Sequence, residues 1–330
     1  LSAFYWVFGF LRMGTVGLTA QADGQGDAGE VAALLTRALM IGLGAGVVII
    51  ALQGLLFWAA FQVSPASVEV EGLAQQYMAV RVWSAPAAIA LYGITGWLIA
   101  QERTRAVLVL QLWMNGLNIV LDLWFVMGLG WGVQGVAFAS AIAEWSGFAL
   151  GLWFCRAVFA GVAWRAWHAV LDGARWRRMM GVNTDILIRS LLLQAIFVSF
   201  MFLGAAQGDV TLAANQVLIQ FLMIASYALD GFAFSAEALV GKAAGARNAL
   251  RLRRAAVLVW GWGMASAGIL AVTFAVFGSA IVETMTTAPE VREIARIYLP
   301  YLVVLPLIGC SAFILDGIFV GATCSRDIRN

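Results

Sequence analysis

Nine stretches of about twenty or more mostly apolar residues follow one another along this chain, with charged residues gathered chiefly between them. They lie at about 1–22, 33–62, 73–100, 106–128, 133–158, 186–206, 212–240, 254–282 and 297–322. A stretch of roughly 20 apolar residues is what a helix needs to cross the hydrocarbon core of a bilayer. The sequence therefore predicts an all-α, polytopic integral membrane bundle. Composition agrees. The chain is 62% hydrophobic and 12% charged, against about 25% charged in a soluble domain. Its mean hydropathy is +0.89. Fourteen tryptophans suit a protein with many membrane–water interfaces.

The chain opens and closes beside apolar stretches, without an initiating Met or a basic leader, and is expected to be a fragment truncated at both ends. Glycines and prolines inside the spans are compatible with helices, because neighbouring helices satisfy freed backbone groups. The cysteines, Cys155, Cys310 and Cys324, have no metal-ligand or disulfide spacing and read as small packing residues.

Charge alternates from one connection to the next. Arg103 and Arg105 follow the third span, and Arg156, Arg165, Arg175, Arg177 and Arg178 follow the fifth. Lys242, Arg247, Arg251, Arg253 and Arg254 follow the seventh, and Arg326 and Arg329 the ninth. The opposite connections hold Glu69, Glu71, Asp209, Glu283, Glu290 and Glu293, interrupted by Arg292 and Arg296. The positive-inside rule makes the Arg-rich connections cytoplasmic. The acidic connection Asp23 to Glu30 runs against this pattern, since alternation puts it on the cytoplasmic side.

The chain also resembles itself. An offset of 221 residues aligns Leu18–Arg105 with Leu239–Arg326 without a gap, pairing Gly24 with Gly245, Gly42 with Gly263, Glu69 with Glu290, Tyr77 with Tyr298, Gly96 with Gly317 and Arg105 with Arg326. Repeats running in the same direction imply two bundles related by an axis along the membrane normal. The repeat sizes a complete protein of twelve helices, with one before Leu1 and two after Asn330. The expected division is an amino-terminal lobe at 1–158, a cytoplasmic linker at 159–182 and a carboxy-terminal lobe at 183–330.

Ionisable groups at membrane depth are costly and usually face a cavity or a partner. Five acids fall inside the spans: Asp122, Glu144, Asp230, Glu237 and Asp316. In the fourth span Gln111, Asn115, Asn118 and Asp122 share one helical face, which suits a water-filled cavity or interhelical hydrogen bonding. In the seventh, Gln216, Gln220, Tyr227, Asp230 and Glu237 lie on roughly one face. Asp230 or Glu237 could bind a cation or carry a proton, and Glu237 could equally pair with Lys242 or Arg247. Asp316 stands alone among apolar neighbours in the ninth span. Asp185 and Arg189, at i and i+4, are expected to pair within their helix. Arg12 needs a partner on another helix, and Glu144 fits packing or function equally. Met13, Phe125, Met127, Met201, Met223 and Tyr227 are candidates to line a permissive cavity or simply to pack.

Four stretches carry a resemblance to a known family. LRMGTVGLTAQADGQGD (Leu11–Asp27) resembles the second-helix signature of the multidrug and toxic compound extrusion (MATE) transporters, in their DinF-like branch. DGFAFSAEALVGKAAGARN (Asp230–Asn248) is similar to the eighth-helix segment, NGLNIVLDLWFV (Asn115–Val126) to the fifth-helix motif and LDGIFVGAT (Leu315–Thr323) to the tenth. The resemblance covers essentially the whole chain, with the motifs in family order. It implies two six-helix lobes, with helices two to ten, about nine of twelve, present here. It also implies a bacterial-type inner-membrane antiporter that exports cationic or amphipathic compounds in exchange for H⁺ or Na⁺, as a monomer. Asn118 and Asp122 match the family's fifth-helix polar positions, whose partner aspartate lies on the first helix, before this chain begins. Some branches place a glutamate in mid-helix seven, and this chain has no acid there.

The residues by themselves support the same class. A coupling ion can shift an inward–outward equilibrium only through different affinities for the two states, and an acid such as Asp122 facing a lobe interior supplies such a difference. There is no Walker A pattern for ATP-driven transport, no HExxH and no acidic cluster for a Mg²⁺-diphosphate, so neither an enzyme nor a cofactor is expected. Cytoplasmic arginines report topology and imply no nucleic-acid partner. The competing reading is a flippase for lipid-linked sugars or lipids, which calls for a more cationic cavity than these Arg-poor spans provide. The sequence leaves H⁺ and Na⁺ as alternatives, and the fragment alone is expected not to transport.

Overall fold

A computed structural model describes residue 5 and residues 7–63, 67–205 and 208–329. For Ala60, Val63, Val68, Met201, Phe202, Gly204, Ala205 and Asp209 the description extends to the backbone alone. Every regular element among the described residues is helical. The longer helices are α1 (Gly9–Gly24), α2 (Ala28–Ala51), α3 (Gln53–Val63), α4 (Val68–Arg81), α5 (Ala85–Ala100), α6 (Thr104–Asp122) and α7 (Gly132–Phe154). Two short helices, α8 (Arg156–Ala160) and α9 (Trp167–Val170), precede α10 (Gly173–Ala205), α11 (Asp209–Gly245), α12 (Ala249–Met285) and α13 (Pro289–Gly321), and α14 (Ser325–Arg329) closes the chain.

Eight helical stretches among the described residues are long and apolar enough to cross a membrane. They correspond to eight of the nine expected spans. The ninth, at about 1–22, is described chiefly as α1, with residues 1–4 and 6 outside the described set. The expected spans at 33–62 and 73–100 are interrupted. The first breaks at Leu52 between α2 and α3, and the second passes through a 3₁₀ turn at Val82–Ser84 between α4 and α5. The last four long helices overrun the apolar stretches that announce them. At 37 residues, α11 and α12 reach about 55 Å at 1.5 Å per residue, well beyond a hydrocarbon core of roughly 30 Å. Their polar ends therefore continue as helix outside the membrane, where hydropathy no longer marks them.

The chain divides into two compact units, Leu1–Leu187 and Ile188–Asn330. In the first, α5 packs against α1 and α2, and α7 packs against α4, α5 and α6. The contacts are close because glycine permits them. A Cβ on Gly42 would lie 2.6 Å from Ala90 Cα, and one on Gly46, a turn further, 2.2 Å from Pro86 Cα. This small-xxx-small face is the packing device of membrane helices, where lipid tails compete equally for any larger apolar side chain. In the second unit α11, α12 and α13 pack on one another. One apolar cluster centres on Phe221 and Phe274, in edge-to-face contact at 5.1 Å, and another on Leu229, Cys310 and Ile314.

The 221-residue repeat holds at the level of contacts inside each unit. Gly96 lies against the carbonyl of Arg12, 2.4 Å from where its Cβ would be. Gly317 lies 2.4 Å from the Ala233 carbonyl in the same sense, and both partners are displaced by 221. The turns repeat too. Gly26 (φ 76°) and Arg247 (φ 51°) occupy equivalent left-handed positions, as do Glu102 and Thr323 (both φ 56°). At each, the next N–H returns to the carbonyl five residues back: Asp27 to Ala22, Asn248 to Ala243, Arg103 to Leu98 and Cys324 to Phe319. These are Schellman helix ends. The following helices open alike, with Asp27 capping the Glu30 N–H and Asn248 capping the Arg251 N–H, each at 2.9 Å.

The acidic connection at 23–30 is paired with arginine. Glu30 accepts from Arg37 at 2.7 Å and from Arg175 of α10, and Asp27 lies 4.0 Å from Arg175. The acids thus answer Arg37 of α2 itself and Arg175 from the start of α10. Arg37 has a fully buried side chain and also donates to the carbonyls of Val170 (2.8 Å) and Ala169 (2.6 Å), at the end of α9. Thr36 donates to the Trp164 carbonyl at 2.9 Å. The sequence segment 159–172 is thus fastened to α2. In the second unit Arg296 pairs with Glu283 and Arg292 donates to the carbonyls of Glu283 and Thr286, which answers the two arginines that break the acidic set.

Candidate ion-coupling site

The polar stripe of the fourth span forms as the spacing predicts, on α6. Gln111 and Asn115 are exposed, and Asn118 and Asp122 are half-buried. Asn115 donates to the Gln111 carbonyl at 2.9 Å, and Asn118 Nδ2 donates to Ser140 Oγ of α7 at 3.3 Å. Asp122 is the last α-helical residue of α6. Beyond it the chain widens into a π turn, Leu123–Gly128, with the Leu129 N–H returning five residues to the Trp124 carbonyl at 3.0 Å. Such π turns recur at functional positions because they displace the backbone register without ending the helix. Asp122 Oδ1 is withdrawn from solvent and has no hydrogen-bond partner among the described residues. A buried carboxylate oxygen without a donor is an open position for a cation or a hydrogen-bond donor.

The face expected on the seventh span is uneven in the structure. Gln220 and Tyr227 of α11 are exposed, Gln216 and Asp230 are half-buried and Glu237 is 1% exposed. The face sinks into packing towards the C-terminal end of α11, where the Glu237 carbonyl lies 2.5 Å from the position of a Gly321 Cβ. Asp316 is not the lone acid expected. Arg189 Nη2 of α10 lies 2.8 Å from Asp316 Oδ2 of α13, so Arg189 reaches across to a second helix. The driving force is the cost of an isolated charge at membrane depth, which pairing relieves.

Met13 is buried within α1, which is enclosed along most of its length. Phe125 is buried and stacked between Trp124 and Trp131, with ring centroids 5.4 and 5.0 Å away. Met127 is exposed and Met223 half-buried, while the Met201 side chain lies outside the described residues. Among the described residues, no group of three or more His, Cys, Asp or Glu side chains converges as a metal site.

One membrane residue escapes the sequence reading. Arg81, the last residue of α4, is buried, and its guanidinium Nη1 and Nη2 donate to the two carboxylate oxygens of Glu144 on α7. Ser84 Oγ accepts from Arg81 Nη1 at 2.6 Å, and Tyr5 donates to the Arg81 carbonyl at 2.9 Å. Glu144, open between packing and function in the sequence, has this partner. The signal for Arg81 is present in the sequence as a lone basic residue between Val80 and Val82 inside an apolar span.

The family model described as MatE matches residues 1–124 and 186–327. This chain belongs to the MatE family. DNA damage-inducible protein F of Escherichia coli (strain K12) is 38% identical over 97% of this chain and 70% of its own length. The probable multidrug resistance protein NorM of Xanthomonas campestris pv. campestris is 29% identical over 89% of this chain and 66% of its own length. Among solved structures, a crystal structure of MATE in complex with MaL6 superposes with a TM-score of 0.88 at 18% identity, covering 99% of this chain and 75% of that one. At that identity the superposition speaks to the fold alone. The MatE chain is therefore a multi-pass, all-helical membrane transporter of the bacterial MATE and DinF type.

Proposed function

We propose that this MatE chain is the core of a secondary antiporter that exports organic cations or amphipathic compounds in exchange for H⁺ or Na⁺, by alternating access of two lobes and as a monomer in the bilayer. Asp122 carries the coupling. The observation behind this reading is its carboxylate oxygen, buried without a donor at the junction of α6 with a π turn and at the end of a polar stripe. A proton or a small cation meets the need of that oxygen, and its exchange changes the charge that a cationic substrate encounters. A ligand shifts the conformational equilibrium only by this kind of differential affinity. Asn118 and Asn115 supply the neutral polar path beside it.

Asp316 is already answered by Arg189, so in this reading it holds α10 to α13 until a cation competes for it. Asp230 and Glu237 are second candidates on α11. A flippase for lipid-linked phosphates is the weaker reading. Arg81 and Arg189, which lie inside the spans, are each committed to a carboxylate and offer no free charge to a phosphate.

The test uses the complete gene product in proteoliposomes, with ethidium movement followed under a pH gradient or a Na⁺ gradient imposed separately. One gradient should drive movement, and Asp122→Asn should abolish it at equal membrane insertion. Full transport by the Asn variant would remove Asp122 from the mechanism.

A further inference from the structure

The Arg81–Glu144 pair takes no part in the antiport reading, yet it is connected to the same polar stripe. Glu144 lies one turn from Ser140 on α7, and Ser140 Oγ accepts from Asn118, itself one turn from Asp122 on α6. Side chains at i and i+4 stand about 5–6 Å apart at their Cβ atoms. By this path, two helical steps and the hydrogen-bonded crossing between them, the pair sits roughly 15 Å from Asp122, inside an apolar bundle where charge is weakly screened.

Arg81 is held by more than its acid. Its Nη1 reaches Ser84 Oγ, its carbonyl accepts from Tyr5, and the Tyr5 ring centroid lies 5.5 Å from its guanidinium carbon. Its backbone ends α4 at the 3₁₀ turn into α5. These contacts persist whether or not Glu144 is charged, so loss of that charge leaves the guanidinium where it is. The side chains of Arg81 and Glu144 are 10% and 16% exposed, so water does little to mask either charge. A purely structural cross-link between α4 and α7 would need no charge at all.

We infer that Arg81 and Glu144 form a specificity-determining charge pair, in which Glu144 cancels the fixed positive charge of Arg81 and so leaves the Asp122 stripe open to a cationic substrate. The inference rests on the antiport reading for the nature of the substrate. An uncancelled unit charge about 15 Å away, at an effective dielectric near 20, alters the affinity for a monocation by roughly sixfold.

The sign of the effect separates this role from packing. Equilibrium binding of ethidium, a permanent organic cation, is measured by fluorescence on the complete gene product in detergent, using only monodisperse protein. Glu144→Gln should weaken binding about sixfold, Arg81→Gln should strengthen it, and the double variant should return to near the wild-type affinity. Shifts of the two single variants in the same direction would overturn the inference. So would loss of folded protein in both single variants with recovery in the double, which would assign the pair to folding alone. The Asp122→Asn transport assay is read beside it. Opposite shifts together with full transport by Asp122→Asn would support the charge pair while overturning the antiport role of Asp122.

Discussion

Replacing Gly46 by alanine adds one methyl group where the structure has no room for it. The new Cβ would stand 2.2 Å from Pro86 Cα, 2.3 Å from Pro86 N and 2.8 Å from the Ala85 carbonyl carbon. All three are backbone atoms, so no side chain can turn aside. Carbon atoms in contact sit about 3.5–4.0 Å apart, and α2 and α5 must separate by more than an ångström locally to restore that distance. Overpacking of this kind costs about 1–3 kcal/mol, set against a gain of about 0.5–1 kcal/mol from replacing glycine in a helix. The net is a loss of up to about 2 kcal/mol. Gly44, on the same helix, supplies the control, because a Cβ there meets nothing within 4 Å. Gly44→Ala should hold or raise stability through the helix term alone. Thermal midpoints of the two variants in one detergent, read by fluorescence-detected size exclusion, should move in opposite directions. Equal midpoints for both would refute the close approach of α2 to α5. Gly317→Ala tests the second unit similarly, since its Cβ would lie 2.4 Å from the Ala233 carbonyl oxygen.

Arg37→Met removes a buried cation that donates to Glu30 and to the carbonyls of Ala169 and Val170. Breaking one side of such a buried set costs about 3–5 kcal/mol, and trypsin should cut at Arg165 faster than in the parent protein. An unchanged cleavage rate would mean that the segment is not fastened there. Arg247→Gly relieves a left-handed residue at φ 51°, in the place that Gly26 fills in the other unit, and should stabilise by about 1 kcal/mol; a lowered midpoint would count against the backbone assignment. Asp172 accepts from the N–H groups of Arg175 and Ala174 at the start of α10, and the Arg175 bond foremost holds its carboxyl below the ordinary carboxylate range. A depressed pKa in the folded state means that this support is complete above the unfolded value near 3.9 and fades as pH falls through the lower folded value. Amide protection at 174 and 175, corrected for the intrinsic pH dependence of exchange, should therefore fall on acidification in that range, and Asp172→Asn should abolish the dependence. Exchange rates that carry the same acid step in the Asn variant would place the titration elsewhere.

The sequence by itself determined that the chain crosses a membrane many times, which connections carry the arginines, and that it repeats at 221 residues. Each of these is written in local composition, because burial in hydrocarbon admits only long apolar helices and leaves charge to the connections. The stripe from Gln111 to Asp122 was legible for the same reason, since helical spacing alone puts those residues on one face. What charged residues do with one another was decided by tertiary structure. Arg81 meets Glu144 across 63 residues, Arg37 meets the Val170 carbonyl across 133, and Arg189 turns to Asp316 on another helix. No local spacing encodes such partners. At membrane depth an ion must find its opposite among whichever helices packing brings near. That packing rests on glycines such as Gly46 and Gly317, each set against backbone of another helix that its sequence neighbours do not reveal.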